Sequence, residues 1–221
     1  MKYAVLLIAA FLVFVAWAGS PVSFAGDGRS ISSVNGSVRA SPGETYDTLS
    51  AVNGDVRVGH GASAEQAKTV NGEVVLEEDA KVGEVSTVNG SLRIGEGAAI
   101  AREASTVNGG ISIAKRAHVG GNVTTVSGEI ELNGAEVTGK LSTRNGDIDL
   151  TDGARVHGGI HVSKPNDSNW GWNKENNNPL RVHICATCVV DGELRFERAV
   201  ELRVDDGAKI GQVIGDQVTR R

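Results

Sequence analysis

LSAVNGDVRVGHGASAEQ, AKTVNGEVVLEEDAKVGE and VSTVNGSLRI follow one another without a break over residues 49–94, and Val-Asn-Gly returns every 18 residues. Outward from this stretch, Asn35, Asn53, Asn71, Asn89 and Asn108 all stand in Val-Asn-Gly, followed by the variants Val126-Ser127-Gly128 and Arg144-Asn145-Gly146. The Asn positions and their Ser127 equivalent are 18, 18, 18, 19, 19 and 18 residues apart. A period this regular over seven copies indicates one supersecondary unit stacked on itself.

Aligned on the Asn, the copies form chemically uniform columns. Four residues before it stand Ile31, Leu49, Ala67, Val85, Ala104, Val123 and Leu141; three after it stand Val38, Val56, Val74, Leu92, Ile111, Ile130 and Ile148. Five after it come Ala40, Val58, Leu76, Ile94, Ile113, Leu132 and Leu150, and Ala62, Ala80, Ala98, Ala117 and Ala154 follow further round. These columns predict a narrow aliphatic core. Aliphatic residues also recur every six residues through Val52, Val58, Ala64, Val70, Leu76, Val82, Val88, Ile94 and Ile100. Short alternating runs read as strands, and three six-residue faces make one 18-residue coil. Thr69, Thr87, Thr106, Thr125 and Thr143, two before the Asn, are expected to face outward as a hydroxyl ladder.

The expected fold is all-β: a single-stranded, three-sided parallel β-helix whose seven coils and C-terminal continuation stack about 4.8 Å apart, a rod on the order of 45 Å long. The alternative is a hairpin meander, because Asn-Gly between apolar runs is also a strong hairpin signal. Column uniformity around the whole unit favours the solenoid. There the glycine would supply a positive φ at a tight corner, and Asn35, Asn53, Asn71, Asn89, Asn108 and Asn145 would form a corner ladder of stacked amides.

The composition agrees: 29 Gly, 4 Pro and 4% aromatic residues in a chain that is 40% hydrophobic imply a core of small and β-branched side chains. Residues 1–25 read as a secretory signal, with Lys2 before an apolar run from Tyr3 to Ala18 and small-x-small sites ending at Ala18 or Ala25. An uncleaved membrane anchor is the alternative, although the run is short for a bilayer span. Cleavage predicts a periplasmic, secreted or surface-exposed protein with no membrane span. Without Lys2 the chain has 21 basic and 27 acidic residues, a poor match to nucleic acid.

The Val-Asn-Gly coils with their Gly-x-Gly-Ala-x-Ile segments resemble the bacterial polymer-forming bactofilins and related adhesin-like families of unknown function. The resemblance spans residues 30–163 and resumes over 180–214. It implies a right-handed β-helix without cofactor or active site, able to assemble end to end, and the handedness rests on the resemblance alone. Bactofilins are typically cytoplasmic or membrane-associated, so the export signal favours the adhesin-like relatives.

The coils run over residues 26–163 and 180–214, with a tail at 215–221. Residues 164–179 interrupt them with a polar insertion bearing Trp170, Trp172 and Asn173. Indole faces and amides there suit a sugar or cell-wall polymer; the alternative is a loop that covers one face of the rod. Cys185-Ala186-Thr187-Cys188 lacks the strand-to-helix context of a redox motif and the further ligands of a zinc site. It reads as a core thiol or a local disulfide, the latter permitted in an oxidising compartment.

His60, His118, His157, His161 and His183 lie in different coils and read as solvated. His118 as an acyltransferase base lacks a cofactor site beside it, and pairs such as Glu129 with Glu131 and Asp147 with Asp149 read as outward edges. No catalytic, metal or cofactor residue is assigned. Four residues after the Asn, the outward ladder Arg39, Arg57, Val75, Arg93, Ser112, Glu131, Asp149 passes from positive to negative. It suggests head-to-tail self-association through uncapped ends, with a cell-envelope polymer as the other candidate partner.

Overall fold

A computed structural model describes residues 28–164, 178–215 and 217–220. Residues 1–25, Trp170, Trp172 and Asn173 lie outside them. The described residues form a β-solenoid with no helix, in which every strand pairing is parallel. The hairpin meander is thereby excluded, since hairpins pair antiparallel.

One face is a ten-stranded sheet made from Val38–Ala40, Val56–Val58, Val74–Leu76 and their successors as far as Val218–Arg220. Its register runs Val38, Val56, Val74, Leu92, Ile111, Ile130, Ile148, Val182, Val200, Val218, so about ten turns stack in line. The other two faces share a sixteen-stranded sheet. In the early coils Thr45–Asn53 and Ser63–Asn71 run continuously around the corner between them, whereas further on the coil divides into Ala99–Ile100 and Ala104–Asn108.

Ile148 pairs with Val182 and Ile160 with Leu194, each 34 residues on instead of 18 or 19. The extra residues leave the rod between Val162 and Leu180, where earlier coils have Val-Asn-Gly. Stacking resumes beyond them without a change of face.

Six side chains per coil point inward, as in Ala62, Ala64, Ala67, Thr69, Val74 and Leu76, all buried. The column assignments hold for the aliphatics but not for the hydroxyls. Thr69, Thr87, Thr106, Thr125 and Thr143 are buried. They face inward because they are two residues from the inward Ala67 column on the same strand, and a strand returns to one face every second residue. A hydroxyl is tolerated there because it finds an acceptor: Thr69, Thr87, Thr106 and Thr125 donate to the carbonyls of Gly54, Gly72, Gly90 and Gly109 in the preceding coil, at 2.8, 3.1, 2.9 and 3.0 Å.

The six-residue rhythm therefore breaks at Val52, Val70 and Val88, which turn outward and are half-buried, while Val34 in the first described coil is 66% exposed. The corner glycines also differ from expectation. Gly36, Gly54 and Gly128 have φ of 145°, 156° and 151°, but Gly72, Gly90, Gly109 and Gly146 do not occupy that region. What all but the first share is close approach: a Cβ on Gly72 would lie 2.2 Å from the Gly54 carbonyl oxygen, and one on Gly109 would lie 2.0 Å from that of Gly90.

The charged ladder does not end negative. Beyond Asp149 the column continues to His183 and then Arg203, so the gradient reverses before the C-terminal end and a simple head-to-tail charge match is lost.

Candidate functional site

The Asn-Gly corner is the most regular surface of the rod. Asn53, Asn71, Asn89 and Asn108 each donate a side-chain N–H to the amide oxygen of the Asn one coil earlier, at 3.1, 2.9, 2.9 and 2.9 Å, beginning with Asn35 as acceptor. Each coil is thus fastened from outside by an amide, from inside by a threonine hydroxyl, and between the two by the glycine contact. Ser127 ends the amide ladder. Asn145 aligns with Ser127 through a backbone bridge, but its Oδ1 accepts instead from the Arg198 guanidinium at 3.2 Å.

Arg198 also donates to the carbonyls of Arg144 at 3.0 Å and Asn178 at 3.4 Å. It braces the place where the chain returns from the insertion. Beside it lies an open notch of about 430 Å³ lined by Asn145, Asp147, Pro179, Leu180, Arg181 and Arg198. Arg181 pairs with Asp147 through both its backbone N–H and its guanidinium. The buried Thr143 hydroxyl and Arg144 Nε have no partner here among the described residues, so the threonine–glycine device stops where the regular corner stops.

Three histidines fasten the coils on either side of the insertion. His157 lies between Glu136, in the preceding coil, at 2.8 Å and Asp191, in the following one, at 2.7 Å. His183 lies between Asp149 at 2.7 Å and Asp205 at 3.1 Å, and His161 meets Glu197 at 3.2 Å. Sequence reading missed these contacts because it treated the histidines singly. Excising residues 164–179 before alignment places His183 directly against Asp149. His118, by contrast, stands on an exposed strand position between Ala99 and Glu136.

Hydrogen bonds to Glu136 and Asp191 raise the pKa of His157. For His183 burial opposes protonation, but the bonds to Asp149 and Asp205 outweigh it. The reciprocal bonds lower Glu136, Glu197 and Asp205. Glu129 moves upward through burial and repulsion from Asp147, Glu131 and Asp149.

These shifts define a pH window. A raised histidine contributes stability below its unfolded value near 6.5, lost as pH rises through the folded pKa; a lowered carboxylate contributes above about 4, lost as pH falls through its folded pKa. The C-terminal coils are therefore expected to be most stable between roughly pH 4.5 and 6.5. Thermal unfolding at about pH 6 and pH 9 should show a lower midpoint at the higher pH, reduced in a His157→Gln, His183→Gln variant. Equal pH dependence in both proteins would remove the histidines as its source.

Cys185 and Cys188 are disulfide-bonded. Cys188 occupies the small inward position held by Ala154 one coil earlier, and its partner lies on the adjoining corner. No group of three or more His, Cys, Asp or Glu among the described residues is placed to hold a metal ion. No helix among them is long and apolar enough to cross a membrane.

The fold and these surfaces define the chain as a β-solenoid. No family model, curated protein or solved structure matches it.

Proposed function

We propose that this chain is a non-enzymatic, exported structural or adhesin-like protein of the bacterial cell envelope that assembles with copies of itself end to end. The supporting observation is the pairing of the terminal coils. Among the described residues, Ile31–Asn35 and Val38–Ala40 pair only with the second coil, while Val213–Ile214 and Val218–Arg220 pair only with the coil before. Such strands present a row of backbone donors and acceptors, a template for another chain. The bactofilin-like resemblance and the apparent signal over residues 1–25 agree with this reading.

Since the charged ladder reverses, main-chain pairing carries the contact, and assembly should be only weakly sensitive to salt. Negative-stain electron microscopy of the chain from Gly26, at rising concentration and two salt levels, tests this. Filaments are expected at both salt levels and should be lost in Arg39→Pro. Val38 donates to Asp55 and Ala40 accepts from Gly59, so in a parallel ladder Arg39 directs its own N–H to the open edge. Discrete rods under every condition would eliminate assembly and leave the alternative, a carbohydrate- or cell-wall-binding module acting through Trp170 and Trp172. That reading rests on how the insertion leaves the rod at a corner without disturbing the stacking.

A further inference from the structure

The six Asn-Gly pairs share one chemical liability, since a glycine nitrogen next to an asparagine has no side chain to hinder its attack on the asparagine amide. The fold treats the six unequally. Gly36, Gly54, Gly72 and Gly90 donate their N–H to the carbonyls of Asn53, Asn71, Asn89 and Asn108, and Gly109 donates to that of Ser127, at 2.9–3.1 Å. In these same five pairs the Asn side chain is tied into the amide ladder. At each, the nucleophile is engaged and the electrophile is held.

Asn145-Gly146 differs in all three respects that matter. The neighbour one coil earlier is Ser127, so no amide ladder restrains Asn145. Gly146 N–H has no acceptor among the described residues, because the chain leaves the regular path one coil later. The amide oxygen of Asn145 receives the Arg198 guanidinium at 3.2 Å, a charged donor aimed where negative charge develops when a nucleophile adds to the carbonyl.

We propose that Asn145-Gly146 is a site of spontaneous deamidation. The Gly146 nitrogen loses its proton to solvent base and forms a bond to Asn145 Cγ. The Cγ–Nδ2 bond breaks and the amide nitrogen leaves as ammonia, closing a five-membered succinimide. Water then adds to either ring carbonyl and opens it to aspartate or isoaspartate. One water is consumed and one ammonia released, with no change of oxidation state. The product carries a new carboxylate against Arg198 and next to Asp147; as isoaspartate it also lengthens the main chain by one carbon at the foot of the insertion. The five ladder pairs must first break the glycine bond and at least one amide bond, roughly fivefold each, so they should react about 25-fold or more slowly.

The test is peptide mass spectrometry of the full chain after incubation at mildly alkaline pH, folded and in parallel in concentrated urea. In the folded chain Asn145 should convert first and the ladder asparagines lag by an order of magnitude or more; in urea the five Val-Asn-Gly sites and Asn145 should converge. An Asn145 rate no higher than those of Asn53, Asn71 and Asn89 in the folded chain would overturn the assignment. Arg198→Gln should slow conversion at Asn145 severalfold and leave the ladder sites unchanged, whereas an unchanged or faster rate would show that Arg198 does not activate the amide.

Discussion

Gly90→Ala is expected to destabilise the rod by more than about 4 kcal/mol, beyond what single substitutions ordinarily do. The new Cβ would lie 1.8 Å from the Gly72 carbonyl oxygen and 2.5 Å from its carbon, both backbone atoms. Gly72 cannot retreat freely: its carbonyl accepts from Thr87, and the coils at this corner are held by Gly72 N–H to Asn89 at 3.1 Å and Gly90 N–H to Asn108 at 3.0 Å. Relief of the clash therefore requires two coils to separate, breaking several of these bonds together. Gly61→Ala is the control. Gly61 has φ of 63° but nothing within 4 Å of the added carbon, so the loss should be only the left-handed penalty of about 1–2 kcal/mol. Urea unfolding followed by circular dichroism ranks the two, and Gly61→Ala proving the more damaging would refute close approach as the reason for glycine at this corner.

Ile111→Ala should lower stability by about 2–5 kcal/mol, whereas Val107→Ala, four residues away, should change it by less than about 1 kcal/mol. Ile111 is buried in the column between Leu92 and Ile130, and the coils around it are pinned by Leu92 N–H to Gly110 at 2.9 Å and Ile111 N–H to Glu129 at 2.8 Å. The cavity cannot collapse because the coil spacing is set by these backbone bonds. In a stacked array each coil is stabilised by its neighbours, so a weakened middle coil should also divide the unfolding transition. Hydrogen exchange should then show the two halves opening separately. Equal losses for Ile111→Ala and Val107→Ala would mean that the outward assignment of the Val-Asn-Gly valines is wrong.

The contrast between these neighbours marks how far periodicity can be read. Strictly repeated aliphatics such as Val74, Leu92, Ile111 and Ile130 have one plausible destination, because an exposed aliphatic column of that length would oppose the hydrophobic effect. Threonine and valine at the corner are nearly isosteric, and the aliphatic-inward, hydroxyl-outward rule puts each on the wrong side. Which of the two is buried depends on the glycine carbonyl of the preceding coil, an acceptor distant in sequence that exists only after stacking.

The candidate sites divide in the same way. The amide ladder from Asn35 to Asn108 was legible, since identical polar residues in register have one another as partners. Asn145 was not, because its partner Arg198 lies 53 residues on and reaches it across the insertion. The histidine contacts were hidden for the same reason.

By itself, the sequence determined the all-β solenoid, its 18-residue coil and the aliphatic core, because an exact repeat transmits one local solution to every copy. The tertiary structure alone decided the buried threonines, the glycine contacts, the reversed charge ladder and the different surroundings of Asn145. Each of these depends on atoms in neighbouring coils, whose separation and direction are known only once the coils are stacked.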